Sequence, residues 1–333
     1  MQMQLDKNDS FDRTLALSTD GDTIILAPGG SYDTYGAWVS ESGNINVPSG
    51  VSIVATDATI ELKAPTGISR VDHDLPILRC GSEVKIQGGT WRCNYNKNPG
   101  WYCQGIRFHG RYEIRDATIV GMSGSRASKT ASGAVESFAI SSEGATGGSV
   151  VSGVTVDQCK MDGPDDYVSG IYIGCTVPNL VESCVTDCTV NLGQWGQFAY
   201  ASSESTRFVN CAGTAARFFY VDTGPSVNTK IINCRGAASY AAISLVNVPN
   251  VVVRREVVIN GGTFTAPRFV EWWDQTPLPN MIGAVIAARA AFAGEWGATV
   301  DAVGGLVVLV ELQLTQKVKV LVSARSQHPV IIE

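Results

Sequence analysis

Short apolar stretches recur along the chain in one beat: a few β-forming residues, one polar residue able to stack in a ladder, then one small residue. The clearest copies are Phe208-Val209-Asn210-Cys211 and Ile231-Ile232-Asn233-Cys234, 23 residues apart. Other copies are Ala55-Thr56-Asp57-Ala58, Ile86-Gln87-Gly88, Ile114-Arg115-Asp116-Ala117, Val156-Asp157-Gln158-Cys159, Val185-Thr186-Asp187-Cys188 and Val258-Ile259-Asn260-Gly261. The polar column is therefore Asp57, Gln87, Asp116, Gln158, Asp187, Asn210, Asn233 and Asn260, with spacings of 30, 29, 42, 29, 23, 23 and 27 residues. Periods in this range mark a solenoid, and β-branched and Gly-rich residues between the copies make it a β-solenoid. The 42-residue step implies an insertion, and Gly121 to Gly153, rich in Ser, Gly, Ala and Thr, is expected to be a loop.

Other segments depart from this beat. Residues 9 to 18 predict a short amphipathic helix capped by Asp9 or Ser10, with Phe11 and Leu15 on one face. Placed before the first coil, it would cover an exposed sheet edge. Gly21 to Gly30 and Ile45 to Val54 predict strands and turns. Pro277-Leu278-Pro279-Asn280 predicts a linker. Beyond it, Val307 to Leu314 and Lys317 to Val322 are apolar strands. So apolar a tail is expected to cap the last coil or to bury Leu309, Leu312, Leu314, Val320 and Val322 against copies of itself around a three-fold axis. The expected organisation is an N-terminal cap over 1–20, the solenoid over 21–275 and a capping or oligomerisation domain over 276–333.

Composition narrows the partners. Of 333 residues, 35 are Gly and only 17% are charged, which suits coils buried between neighbours. The net charge is −6 and no Lys/Arg run exists, so nucleic acid and anionic membranes are not expected partners. No apolar run reaches the about 18 residues that a membrane helix needs. Met1 to Asp6 has neither a basic nor an apolar signal region, so no signal peptide is expected. The nine cysteines include Cys159, Cys188, Cys211 and Cys234, which follow the polar column and are expected to pack as small apolar residues. Metal-ligand spacing is absent, and folding in a reducing cytosol is expected.

Gly21-Asp22-Thr23-Ile24-Ile25-Leu26-Ala27-Pro28-Gly29 and Val47-Pro48-Ser49-Gly50-Val51-Ser52-Ile53 resemble the opening coils of the pectate-lyase-like superfamily. The resemblance covers roughly residues 10 to 265 and implies an all-β, right-handed parallel β-helix. That superfamily includes polysaccharide lyases, polygalacturonase-type hydrolases, epimerases and phage tailspikes. Its motifs specify fold rather than chemistry. Asp165-Asp166 and His109-Gly110 are similar to the paired aspartates and His-Gly pair of polygalacturonases. Here the His precedes the aspartates, and the Asn-Thr-Asp and Arg-Ile-Lys motifs are missing, so those roles are not carried over.

The candidate catalytic residues are Asp162, Asp165 and Asp166, in Asp162-Gly163-Pro164-Asp165-Asp166-Tyr167. Glycoside hydrolysis needs two carboxyls about 5 to 10 Å apart. Lyase chemistry needs a base and a cation, often Ca²⁺ held by Asp oxygens, against the uronate. The same residues also make a solvated turn. Trp101, Tyr102 and Trp195, beside Pro, Gly and Gln, are candidate sugar-stacking rings, with Arg107 and His109 as further binding residues; Phe108 and Phe198 are expected in the core. There are three His, and no Ser-His-Asp order, phosphate loop or dinucleotide fingerprint. Three readings follow: a tailspike-like virion protein, homotrimeric, that binds a host polysaccharide, with or without cleaving it, beside other virion proteins; a secreted lyase or hydrolase; and a non-catalytic structural solenoid.

Overall fold

A computed structural model of the chain describes residues 1–34, 47–63, 74–93, 102–124, 137–143, 147–161, 168–174, 181–202, 205–221, 228–247, 255–274, 282–301, 305–310, 321–322 and 330–332. The fold is a right-handed parallel β-helix with one short helix at its N-terminal end. Right-handedness is what twisted strands impose on parallel crossovers. Each coil visits three sheets in turn, here called I, II and III. Sheet I begins with Gln2–Leu5, Thr23–Leu26, Ser52–Val54 and Val84–Gln87. Sheet II begins with Ser31–Asp33, Thr59–Glu61 and Thr90–Arg92. Sheet III begins with Asp74–Cys80, Tyr102–His109 and Ser137–Glu143.

Inward residues stack in unbroken rows. In sheet I the row is Ile24, Ile53, Ile86, Ile114, Val151, Val185, Phe208, Ile231 and Ile259, each in register with the next and all buried. In sheet II it is Tyr32, Ile60, Trp91, Ile119, Val156, Val190, Gly213, Gly236 and Phe264. Each large buried side chain contributes about 1.5–3 kcal/mol, so the rows carry the fold. The helix Phe11–Leu17 closes the end. Ser10 caps it by accepting from the Arg13 N–H at 3.2 Å, and Phe11 and Leu15 are buried, Phe11 edge-on to Tyr32.

The polar column is real, and its origin is backbone geometry. Between sheets I and II the chain turns through a residue with positive φ: Gly29, Asp57, Gly88, Asp116, Gly153, Asp187, Asn210, Asn233 and Gly261, at 51° to 74°. Asn, Asp and Gly are the residues that tolerate this region. Side chains then bond from coil to coil, as in Asn210 Nδ2 to Asp187 Oδ1 at 3.1 Å. A Cβ on Gly153 would lie 2.4 Å from Asp116 Oδ1, and one on Gly261 would lie 2.4 Å from Asn233 Oδ1. The polar side chain of one coil occupies the space that the next coil's glycine leaves.

This register corrects three members of the expected column. Gln87 and Asn260 each stand one residue before the turn, which Gly88 and Gly261 make. Gln158 belongs to the other end of sheet II, after Thr155–Asp157. The true member is Gly153, 37 residues after Asp116 and 34 before Asp187. Cys159 consequently leaves the cysteine row and is half-buried; the row proper is Cys188, Cys211 and Cys234. The expected loop over 121–153 is also corrected. It contains Ser137–Glu143 in sheet III and Val150–Ser152 in sheet I, so it carries two strands of the solenoid, while 125–136 and 144–146 lie outside the described residues. Its small residues serve tight packing, with Ser137, Ala139, Ser141 and Ser142 all buried.

Parallel pairing continues past residue 275. Arg255–Asp274 and Ile282–Asp301 each run through all three sheets, followed by Gly305–Val310, Leu321–Val322 and Val330–Ile332. Leu312, Leu314 and Val320 lie outside the described residues.

Candidate functional site

Sheet III breaks the alternation of the other two. Its strands bury two consecutive residues: Ile77-Leu78, Ala139-Ile140, Phe198-Ala199, Phe218-Phe219, Ala242-Ile243 and Phe269-Val270. A strand that buries neighbours on one side must kink there. The outward residues on either side of the kink then approach one another. Phe138 stacks on Tyr172 of the next coil, with centroids 4.9 Å apart. Arg217 Nε reaches Glu271 Oε1 at 2.6 Å across two coils.

One outward column runs the length of this sheet. In register order its positions are Arg79, Arg107, Ser141, Tyr172, Tyr200, Tyr220, Ser244 and Glu271, of which Ser141, Ser244 and Glu271 are buried. At one strand spacing per coil it spans about 34 Å. Tyr172 is half-exposed. The second outward column holds Phe138, Ser169, Gln197, Arg217, Ala241 and Arg268. Ser169 Oγ donates to Gln197 Oε1 at 2.8 Å. Glu271 is 1% exposed and also accepts from Ser244 Oγ, so its carboxylate is satisfied by a cation and a hydroxyl. Arg217 and Arg268 lie 4.7 and 4.2 Å from the Tyr240 ring centroid.

The residues expected from the sequence divide between two places. Arg107 is in the outward column, and His109 stands two residues further along the same strand, in register with Glu143. Tyr102 begins that strand, five residues from Arg107 and so roughly 16 Å away. Trp195 lies at the corner between sheets II and III, half-buried, its carbonyl accepting from the Ala216 N–H at 3.0 Å. Trp101, Asp162, Asp165 and Asp166 lie outside the described residues. Phe108 and Phe198 are core. So are Trp91 and Tyr112; the Trp91 indole N–H donates to the Gly88 carbonyl at 3.0 Å.

The outward column went unread in the sequence, although its signal is there. The triplets Ile106-Arg107-Phe108, Ile171-Tyr172-Ile173, Ala199-Tyr200-Ala201, Phe219-Tyr220-Val221, Ile243-Ser244-Leu245 and Val270-Glu271-Trp272 repeat an apolar–variable–apolar unit.

Other features carry less chemistry. Hydrogen bonding to Cys211, with burial, pushes the Cys188 and Cys234 thiols up, so both stay protonated core groups. Burial pushes Cys159 up to about 12. A cavity of about 100 Å³ on sheet I is lined by Glu83, Lys85, Arg111 and Glu113, whose charges pair locally, as in Arg111 to Glu83 at 3.9 Å. Among the described residues no group of His, Cys, Asp and Glu forms a metal site. None of their helices is long and apolar enough to cross a membrane.

These features define the class as a right-handed parallel β-helix with a register column of polar and aromatic residues on sheet III. No protein-family model, curated protein or solved structure matches the chain.

Proposed function

We propose that this chain is a tailspike-like virion protein that binds a host surface polysaccharide along the outer face of sheet III. The observation that carries this reading is the column from Arg79 to Glu271, with three tyrosines on successive coils. An extended sugar chain presents a ring and its hydroxyls at intervals close to the coil spacing of about 4.8 Å. Tyrosine rings offer apolar faces for the sugars, while Arg, Ser and Gln offer hydrogen bonds. Tyr172, held flat by Phe138, needs no reordering to receive a ring. The test is a binding panel of bacterial capsule and O-chain oligosaccharides against wild type and Tyr172→Ala. The variant should bind at least about tenfold more weakly. A panel with no binder, or equal binding by the variant, would sink the reading.

Cleavage is the second reading. Asp162, Asp165 and Asp166 precede in sequence the strand Val168–Gly174 that carries Tyr172. If these carboxylates act, Asp165→Asn with Asp166→Asn abolishes depolymerisation and spares binding. A lyase would also need Ca²⁺, so chelation should stop it while a hydrolase is unaffected. Trimerisation through residues 280–333 completes the proposal. Removing them should lower the solution mass, and an unchanged oligomer would refute it.

A further inference from the structure

We infer that Arg268 and Tyr240 form a subsite for an anionic substituent on the ligand, a carboxylate or a sulfate ester. The inference rests on the reading of sheet III as the glycan-binding face. Arg217, Ala241 and Arg268 hold successive positions in the second outward column. Tyr240 precedes Ala241, so its ring has one guanidinium from the coil before and one from the coil after. The small Ala241 leaves room for both.

The two arginines are not equivalent. Arg217 is charge-compensated by Glu271, which is itself buried and also takes the Ser244 hydroxyl. Arg268 has its aromatic contact, but its Nη1 is buried with no hydrogen-bond partner. No carboxylate of a described side chain lies within 4 Å of it. Glu295 holds the next register position. Tyr240 is 37% exposed, so a ligand can reach the cluster. A guanidinium already fixed against a ring, with a donor to spare, matches the fork of a carboxylate or sulfate. A neutral sugar at this place would leave that donor unmatched.

Ligand-observed NMR on the full-length protein tests this, with glucuronate, glucose 6-sulfate and glucose as probes. Wild type should broaden the signals of at least one anionic probe and leave glucose unchanged. Response to only one of the two anions identifies the substituent class. Arg268→Gln and Tyr240→Ala should each lose most of the response, and Arg268→Lys should recover part of it. The second variant guards against a folding defect in the first, checked by circular dichroism. No broadening by wild type, equal broadening by glucose, or a full response in folded Arg268→Gln would overturn the inference. Tyr172→Ala separates the two ideas. It should weaken neutral oligosaccharides and keep the glucuronate or sulfate response, so the track and the anion subsite can fail independently.

Discussion

The first six coils and the later ones solve the same packing problem differently. Up to Val168–Gly174, sheets II and III are built from separate strands, such as Thr90–Arg92 and Tyr102–His109, and the interior rows are mostly Ile and Val. From Gln197 onward the corner between these sheets tightens until Ala212–Val221 and Arg235–Asn247 each run through both sheets as one strand. Inside the tight coils the filler is aromatic. Phe198 stacks on Phe218 at 4.3 Å, and Phe218 meets Phe219 and Phe264 edge-on. Glycines make the room: a Cβ on Gly236 would lie 2.0 Å from the Phe218 ring. The difference teaches that a shorter coil is closed by pairing large rings with missing side chains. Coils whose sheets II and III are separate strands are filled mostly with branched aliphatics.

The largest expected effect falls on the aromatic half. Phe218→Ala should lose about 3–5 kcal/mol, because the surrounding rings cannot collapse over two glycines. Ile86→Val in the aliphatic half should cost about 0.5–1.5 kcal/mol. Urea unfolding of both variants checks the contrast, and equal losses would remove it.

Ion pairs separate the regions next. Glu271→Gln removes the carboxylate that pairs with the largely buried Arg217 guanidinium and should cost about 3 kcal/mol. In the first half, Glu113→Gln breaks a pair with Arg115 whose side chains are 32% and 43% exposed, and should cost less than about 1 kcal/mol. Thermal melts of the two variants distinguish them.

Smaller effects are expected at the turn between sheets I and II, which both halves share. Gly153→Ala meets a positive φ and the Asp116 carboxylate, and should lose about 1–3 kcal/mol. Asn210→Ala should lose about 1 kcal/mol, through the backbone conformation and the bond to Asp187. Asn210→Gly should fall within about 0.5 kcal/mol of wild type, since glycine adopts the turn freely. If Asn210→Gly is as damaging as Asn210→Ala, the column is held by side-chain bonding rather than by backbone geometry.

The sequence alone determined the solenoid, the capping helix and most of the turn column, because each rests on local rules. A repeat of β-formers around Asn or Asp reports a turn that needs positive φ, and Ser10 before Phe11 and Leu15 reports a cap and a buried face. It misplaced Gln158 because Gly153 performs the same turn with no side chain to advertise it, and a missed glycine made strands of the solenoid resemble an insertion. Only the tertiary structure decided that Arg107, Tyr172, Ser244 and Glu271, up to 164 residues apart, share one outward column. That alignment depends on the register between coils and on the kink in sheet III. Both are set by how side chains of different coils pack, and no local stretch of sequence contains that information.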